Sequence, residues 1–178
     1  MLLAAVRHQI KDVIMKLSFL FVFCSLSYGA LIGCTTNKGH AFKQVELCVQ
    51  NEDGVRAFKN TLKGIASSKS MSYIDGATSF SESINDIRGK DSVDSKDVIY
   101  IGVEGKDGLG LTAGNLGLAK YQIAIGYTAG RSESEALQFE RDVNSKLIEN
   151  WDVKEIPDGS SALPDRSCGN PAFEFKHK

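Results

Sequence analysis

The sequence predicts an α+β domain: an antiparallel sheet with two helices on one face. Three observations carry that prediction. Apolar residues alternate at period two over 45–49 and again over 121–128. Apolar residues recur at helical spacing at Val55, Phe58, Leu62 and Ile65, and again at Ala136, Phe139, Val143 and Leu147. Strand and helix patterns interleave without the strict alternation of an all-parallel sheet.

Each element has a local reason. Val45, Leu47 and Val49 alternate with Glu46, Cys48 and Gln50, which reads as a half-buried strand. That period places Cys48 on the face opposite the three aliphatics. Asn51 then suits a helix N-cap, and Glu52 and Asp53 suit the positive end of the helix dipole. Lys59 and Lys63 fall away from the apolar face of this helix. Gly64 weakens its last turn, and Ser67-Ser68 marks its exit. Met71, Tyr73 and Ile74 make a short second strand that stops at Asp75-Gly76. Residues 77–97 fit two periods. Phe80, Ile84 and Ile87 have helical spacing, and a strand period stays open. The charged stretch 89–97 reads as an exposed loop.

The run Val98, Ile99, Tyr100, Ile101 and Val103 is nearly continuous, which predicts a central strand buried on both faces. A turn over 104–108 sends Leu109, Leu111 and Ala113 back as a hairpin. Tyr121, Ile123, Ile125 and Tyr127 alternate with Gln122, Ala124, Gly126 and Thr128. The small residues of that strand predict close packing over its outer side. Ser132 and Glu135 have the spacing of a capping box. In the helix that follows, Glu140 and Arg141 are expected on the wet side, with Ile148 and Trp151 flanking the apolar face. Val153 and Ile156 fit a last strand, closed by Pro157-Asp158-Gly159. The tail, 160–178, has no regular period, and its Phe173 and Phe175 are candidates to pack on the body. Strand, helix, strands, helix, strand is the order of a split β-α-β, ferredoxin-like sandwich with an extra hairpin. In that layout the first and last strands are neighbours, so a tail leaving the last strand can return to Cys48.

The N-terminal segment has a different character. Met15-Lys16 is followed by an apolar run from Leu17, with no charge until Lys38. A basic start, a short apolar core and small residues at its end make a secretory signal. The core is shorter than the roughly 20 apolar residues a spanning helix needs. Leu31-Ile32-Gly33-Cys34 resembles the lipobox of bacterial lipoproteins, a likeness confined to residues 15–35. The resemblance implies cleavage between Gly33 and Cys34, lipid on Cys34, and a chain attached to the cell envelope. Thr35 in place of Asp implies the outer membrane, facing the periplasm. A plain signal peptide cut near Ser27-Tyr28-Gly29-Ala30 and a buried core helix are the competing readings. Arg7, Lys11 and Asp12 make residues 1–14 a poor leader, so Met15 is the expected start. The division is then a leader over 1–33, a lipidated tether over 34–43, and one α+β domain over 44–178.

Composition narrows the chemistry. Removing Arg7, Lys11, Lys16 and Asp12 with the leader leaves 18 basic and 21 acidic residues, a net charge of −3. An acidic chain without a basic run argues against nucleic acid and against a polybasic membrane face. The glycines from Gly102 to Gly117 lack the Gly-Lys-Ser/Thr of a phosphate loop, so no nucleotide is expected. Cys24 falls in the leader and Cys34 takes lipid, which leaves Cys48 and Cys168 to pair as a disulfide. The loop closed would be about 120 residues, for which chain entropy gives roughly 4–5 kcal/mol. Asp91, Asp94 and Asp97 are weak calcium candidates, because the alternating acids and terminal Glu of a calcium loop are missing. His40 and His177 lie in tether and tail, so no residue stands out as a general base. Glu46, Glu104 and Glu155 read as strand-edge acids, and Tyr100, Tyr121 and Tyr127 as core. No cofactor is expected.

The reading that follows is a non-enzymatic, lipid-anchored periplasmic or outer-membrane protein that acts by binding another protein. An immunity or inhibitor protein is one form of it. An accessory subunit of an envelope secretion or transport assembly is the first alternative, and an envelope hydrolase the second. Metabolic labelling with a palmitate analogue should mark the wild-type chain and leave Cys34→Ala unlabelled. Label that persists on the variant removes the basis of the envelope placement.

Overall fold

The computed structural model describes residues 41–88 and 93–170. Gly33, Cys34, His40, Asp91, Phe173, Phe175 and His177 lie outside these residues. The described elements are β1 (Lys43–Cys48), α1 (Glu52–Ser68), β2 (Ser72–Asp75), α2 (Ala77–Arg88), β3 (Tyr100–Glu104), β4 (Leu109–Gly114), β5 (Gln122–Ala129), α3 (Glu133–Ile148) and β6 (Lys154–Ile156). The six strands form one sheet in the order β2-β3-β4-β5-β1-β6, and every neighbouring pair is antiparallel. Strands β1 and β2 therefore run parallel with three strands between them. Strands β5 and β6 run parallel with β1 between them. The protein is an α+β fold with two split β-α-β units and an extra hairpin, β3–β4.

The core lies between one sheet face and helices α1 and α3. Val45, Leu47, Ile101, Val103, Ile123 and Ile125 meet Phe58, Leu62, Val143 and Leu147 there, all buried. Full burial of side chains of this size contributes about 1.5–3 kcal/mol each. The predicted caps form: Asn51 Oδ1 accepts the Gly54 amide at 2.9 Å, and Ser132 Oγ accepts the Glu135 amide at 3.3 Å. Trp151 packs edge-on against Phe58, with ring centroids 5.9 Å apart.

Four expectations change. Residues 77–88 are a third helix, so the fold has more than the two helices expected. It docks away from the main core, burying Ala77 against Val93 and Val98 and laying Phe80 on Tyr100 at 5.3 Å. Phe80 and Ile84 both serve that small cluster, which selects the helical period. The loop expected over 89–97 is anchored at its far end. The Asn85 side chain donates to the Val93 carbonyl and accepts its amide, each at 2.9 Å, and Val93 is buried. Strand β3 is internal but buried on one face only, and its Tyr100 is 37 % exposed. Of that other face, Phe80 of α2 covers part of Tyr100, and Gly102 and Glu104 lie beyond it.

Glu140 is the fourth. It is buried, not wet. Its position follows from helical spacing, because 136, 140, 143 and 147 share one face. Tyr127 Oη donates to Asn144 Oδ1 at 2.6 Å, Asn144 Nδ2 donates to Glu140 Oε1 at 2.6 Å, and Lys43 Nζ lies 3.4 Å from Glu140 and 2.8 Å from Glu155. The buried charge is thus paired and hydrogen-bonded, as burial requires. Burial, and then the Glu140 charge, hold the Tyr127 hydroxyl protonated far above the usual phenol range.

Two glycines of α1 make opposite predictions. A methyl group at Gly54 would meet the Val49 carbonyl oxygen, a backbone atom, whereas one at Gly64 meets nothing within 4 Å. Gly54→Ala should therefore destabilise the domain by about 1–3 kcal/mol. Gly64→Ala should stabilise it by up to about 1 kcal/mol through helix propensity alone. Urea unfolding of both variants checks the pair, and equal effects would contradict the packing at Val49.

Candidate functional site

Cys48 and Gln122 face each other across β1 and β5, on the sheet side away from α1 and α3. That side follows from strand alternation, since Leu47 and Ile123 take the core side. The chain returns to this spot after β6. The Tyr121 amide donates to the Cys168 carbonyl at 3.2 Å, and the Lys120 amide donates to the Asn170 carbonyl at 2.7 Å. Gln122 fastens the same segment. Its Nε2 donates to the Leu163 carbonyl at 2.8 Å and to Glu46 Oε2 at 2.9 Å, and its Oε1 accepts the Asp165 amide at 2.8 Å. Asp165 then caps the 3-10 turn Arg166–Cys168, accepting the Ser167 amide at 2.9 Å and its hydroxyl at 2.7 Å. Those two bonds hold the Asp165 carboxyl below the usual range. The tail meets the outer face of the first strand, as the order of elements predicts.

A cleft of about 500 Å³ opens beside this strap. Cys48, Cys168, Trp151, Lys154 and the start of α1 line it. Cys48 and Cys168 line the same cleft, and both are thiols in this structure. Cys168 is buried and Cys48 half-buried. Burial first, and then contact with Cys48, push the Cys168 thiol up to about 12. Gln50, on the cleft wall, has φ 64°, a left-handed conformation that a non-glycine residue rarely adopts.

The outer sheet face carries a second feature. Gly102, Thr112, Gly114, Ala124 and Gly126 lie side by side across β3, β4, β5. Thr112, Gly114 and Ala124 line a recess of about 280 Å³, with Tyr100, Leu116 and Ala162 around it. Tyr100 is 37 % exposed, Leu116 40 % and nearby Ile74 45 %.

The remaining candidates are placed as follows. Asp94 caps a 3-10 turn through the Lys96 amide and pairs with Lys96 at 2.8 Å. Asp97 pairs with Lys120 at 3.0 Å, and Lys120 also pairs with Glu52 at 2.9 Å. Among the described residues, no three His, Cys, Asp or Glu side chains are grouped to hold a metal ion. Glu46 is engaged by Gln122, Glu155 by Lys43, and Glu104 is exposed. Tyr127 is core, Tyr121 half-buried beside Lys120, and Tyr100 on the outer sheet face at 37 % exposed, so one tyrosine of the three is fully buried. The glycine-rich stretch is the β3–β4 hairpin, turned through Asp107 at φ 63° and Gly108 at φ 82°. Among the described residues, no helix is long and apolar enough to cross a membrane.

No family model matches the chain, and neither a curated protein nor a solved structure matches it.

Gln122 is the residue that holds this segment in place, bonded to Glu46, Leu163 and Asp165. Its signal in the sequence is a long amide among small residues on the strand side shared with Cys48. Replacing it removes partners from the Asp165 amide and the Leu163 carbonyl. An unsatisfied buried group costs about 1–3 kcal/mol. Gln122→Leu should lower stability by about that amount and expose the tail. Trypsin should then cut after Arg166 faster than in wild type. An unchanged cleavage rate would show that Gln122 does not hold the strap.

Proposed function

We propose that this chain is a lipid-anchored envelope protein that acts by binding another protein through its outer sheet face. The partner is a cationic protein that presents one bulky apolar side chain. A toxin or wall-degrading enzyme that must be blocked in the periplasm has those properties, and the chain would serve as its immunity or inhibitor protein.

The recess of about 280 Å³ over Thr112, Gly114 and Ala124 carries this reading. Binding energy concentrates where a large side chain fills a desolvated pocket. Small residues make room for such a side chain, and Tyr100 and Leu116 supply apolar walls. The charge of −3 beyond Gly33 favours a basic partner and would speed its approach. The lipobox-like Leu31-Ile32-Gly33-Cys34 supports the anchor. Of the three acids that line the cleft, Glu46 and Asp165 are bound to Gln122 and Ser167 and Asp152 lies 4.0 Å from Lys154, which favours binding over hydrolysis.

Thr112 is exposed, so Thr112→Trp fills the recess with little strain on the core. Cells lacking the gene should become sensitive to a toxin released by sister cells. Wild type should restore protection, and Thr112→Trp should lose it by tenfold or more while keeping the wild-type melting curve. Full resistance of the deletion strain would overturn the reading.

A further inference from the structure

We propose that Cys48 and Cys168 are joined by a disulfide that covalently locks the tail onto the first strand, formed by attack through Cys48. The geometry comes from the backbone. Cys48 stands opposite Gln122, the Cys168 carbonyl is bonded to the neighbouring Tyr121 amide, and Val49 donates to the Tyr121 carbonyl at 2.9 Å. Both cysteines thus sit against neighbouring residues, Gln122 and Tyr121, and line one cleft, an arrangement that brings their side chains together to bond. The Gln122 clamp on Leu163 and Asp165 keeps the second cysteine in place before any bond exists.

The two sulfurs are not equivalent. Both line the cleft of about 500 Å³, but Cys48 is half-buried and Cys168 is buried. An incoming disulfide therefore meets Cys48 first. The oxidant is a small or protein disulfide. The Cys48 thiolate attacks one of its sulfurs, which forms a mixed disulfide and releases one thiolate. The Cys168 thiolate then attacks the Cys48 sulfur, the internal bond forms, and the second thiolate leaves. The two protons lost from the protein thiols end on the two released thiolates. Its occurrence in the cell rests on the envelope reading, where such an oxidant is available. Its occurrence in glutathione buffer does not.

The experiment uses the full chain in two settings. In the first, purified reduced protein is held in glutathione disulfide under native conditions and mapped by differential alkylation. A Cys48–Cys168 peptide pair is expected, with the intact mass lower by two hydrogens. Cys168→Ser should instead accumulate one glutathione on Cys48, and Cys48→Ser should leave Cys168 unmodified. In the second, protein from the producing cell is alkylated before lysis and mapped in the same way. Pairing in buffer with free thiols in the cell would overturn the envelope reading and leave the geometric inference standing. Two free thiols in glutathione disulfide, or pairing of either cysteine with Cys24 or Cys34 instead, would overturn the inference itself.

Discussion

The register between β1 and β5 is the constraint on which the rest depends. Val45 faces Ile125 and Leu47 faces Ile123, and these four side chains are buried against the helices. Side chains alternate along a strand, so the same register fixes the opposite face. Glu46 must then lie beside Ala124, and Cys48 beside Gln122. A slip of one residue in β1 would turn Cys48 into the core and part it from Gln122. The hydrophobic effect thus positions the polar strap without touching it.

Among the described residues, the buried side chains Gln122, Glu140 and Asn115 each join segments distant in sequence. Gln122 ties β5 to β1 and to the tail. Glu140 and Asn144 tie α3 to Tyr127 and Lys43. Asn115 is fully buried, accepts the Ile99 amide, and donates to the carbonyls of Asp97 and Lys120. Each would be costly if a partner were missing. Such groups reject alternative arrangements of the loops, because few other packings satisfy all of them. The outer face can therefore stay open and small without letting the chain rearrange.

Much of this was legible in the chain, for identifiable reasons. The β1 and β5 alternation, both capped helices and the hairpin rest on local periods and local hydrogen bonds. The return of the tail to Cys48 was legible because strand order makes the first and last strands neighbours. The helix over 77–88 was ambiguous, since Phe80 and Ile84 fit two periods until Val93 and Val98 supply a surface for one of them. The charge of Glu140 suggests water, while its helical spacing places it on the buried face. Gln122 went unweighed because its partners, Leu163 and Asp165, lie some forty residues away.

The sequence by itself determined β1, β5, α1 and α3 and the apolar residues they bury, because those follow from the period of the backbone and the size of apolar side chains. It also determined the chain's acidity and the lipobox-like segment before the domain. Only the tertiary structure decided which polar groups meet. It brought Cys168 to Cys48, gave Glu140 its lysine and left Tyr100 beside an open recess. Those outcomes depend on distances between segments far apart in the chain. A local pattern sets which way a side chain points, but it does not say what stands opposite.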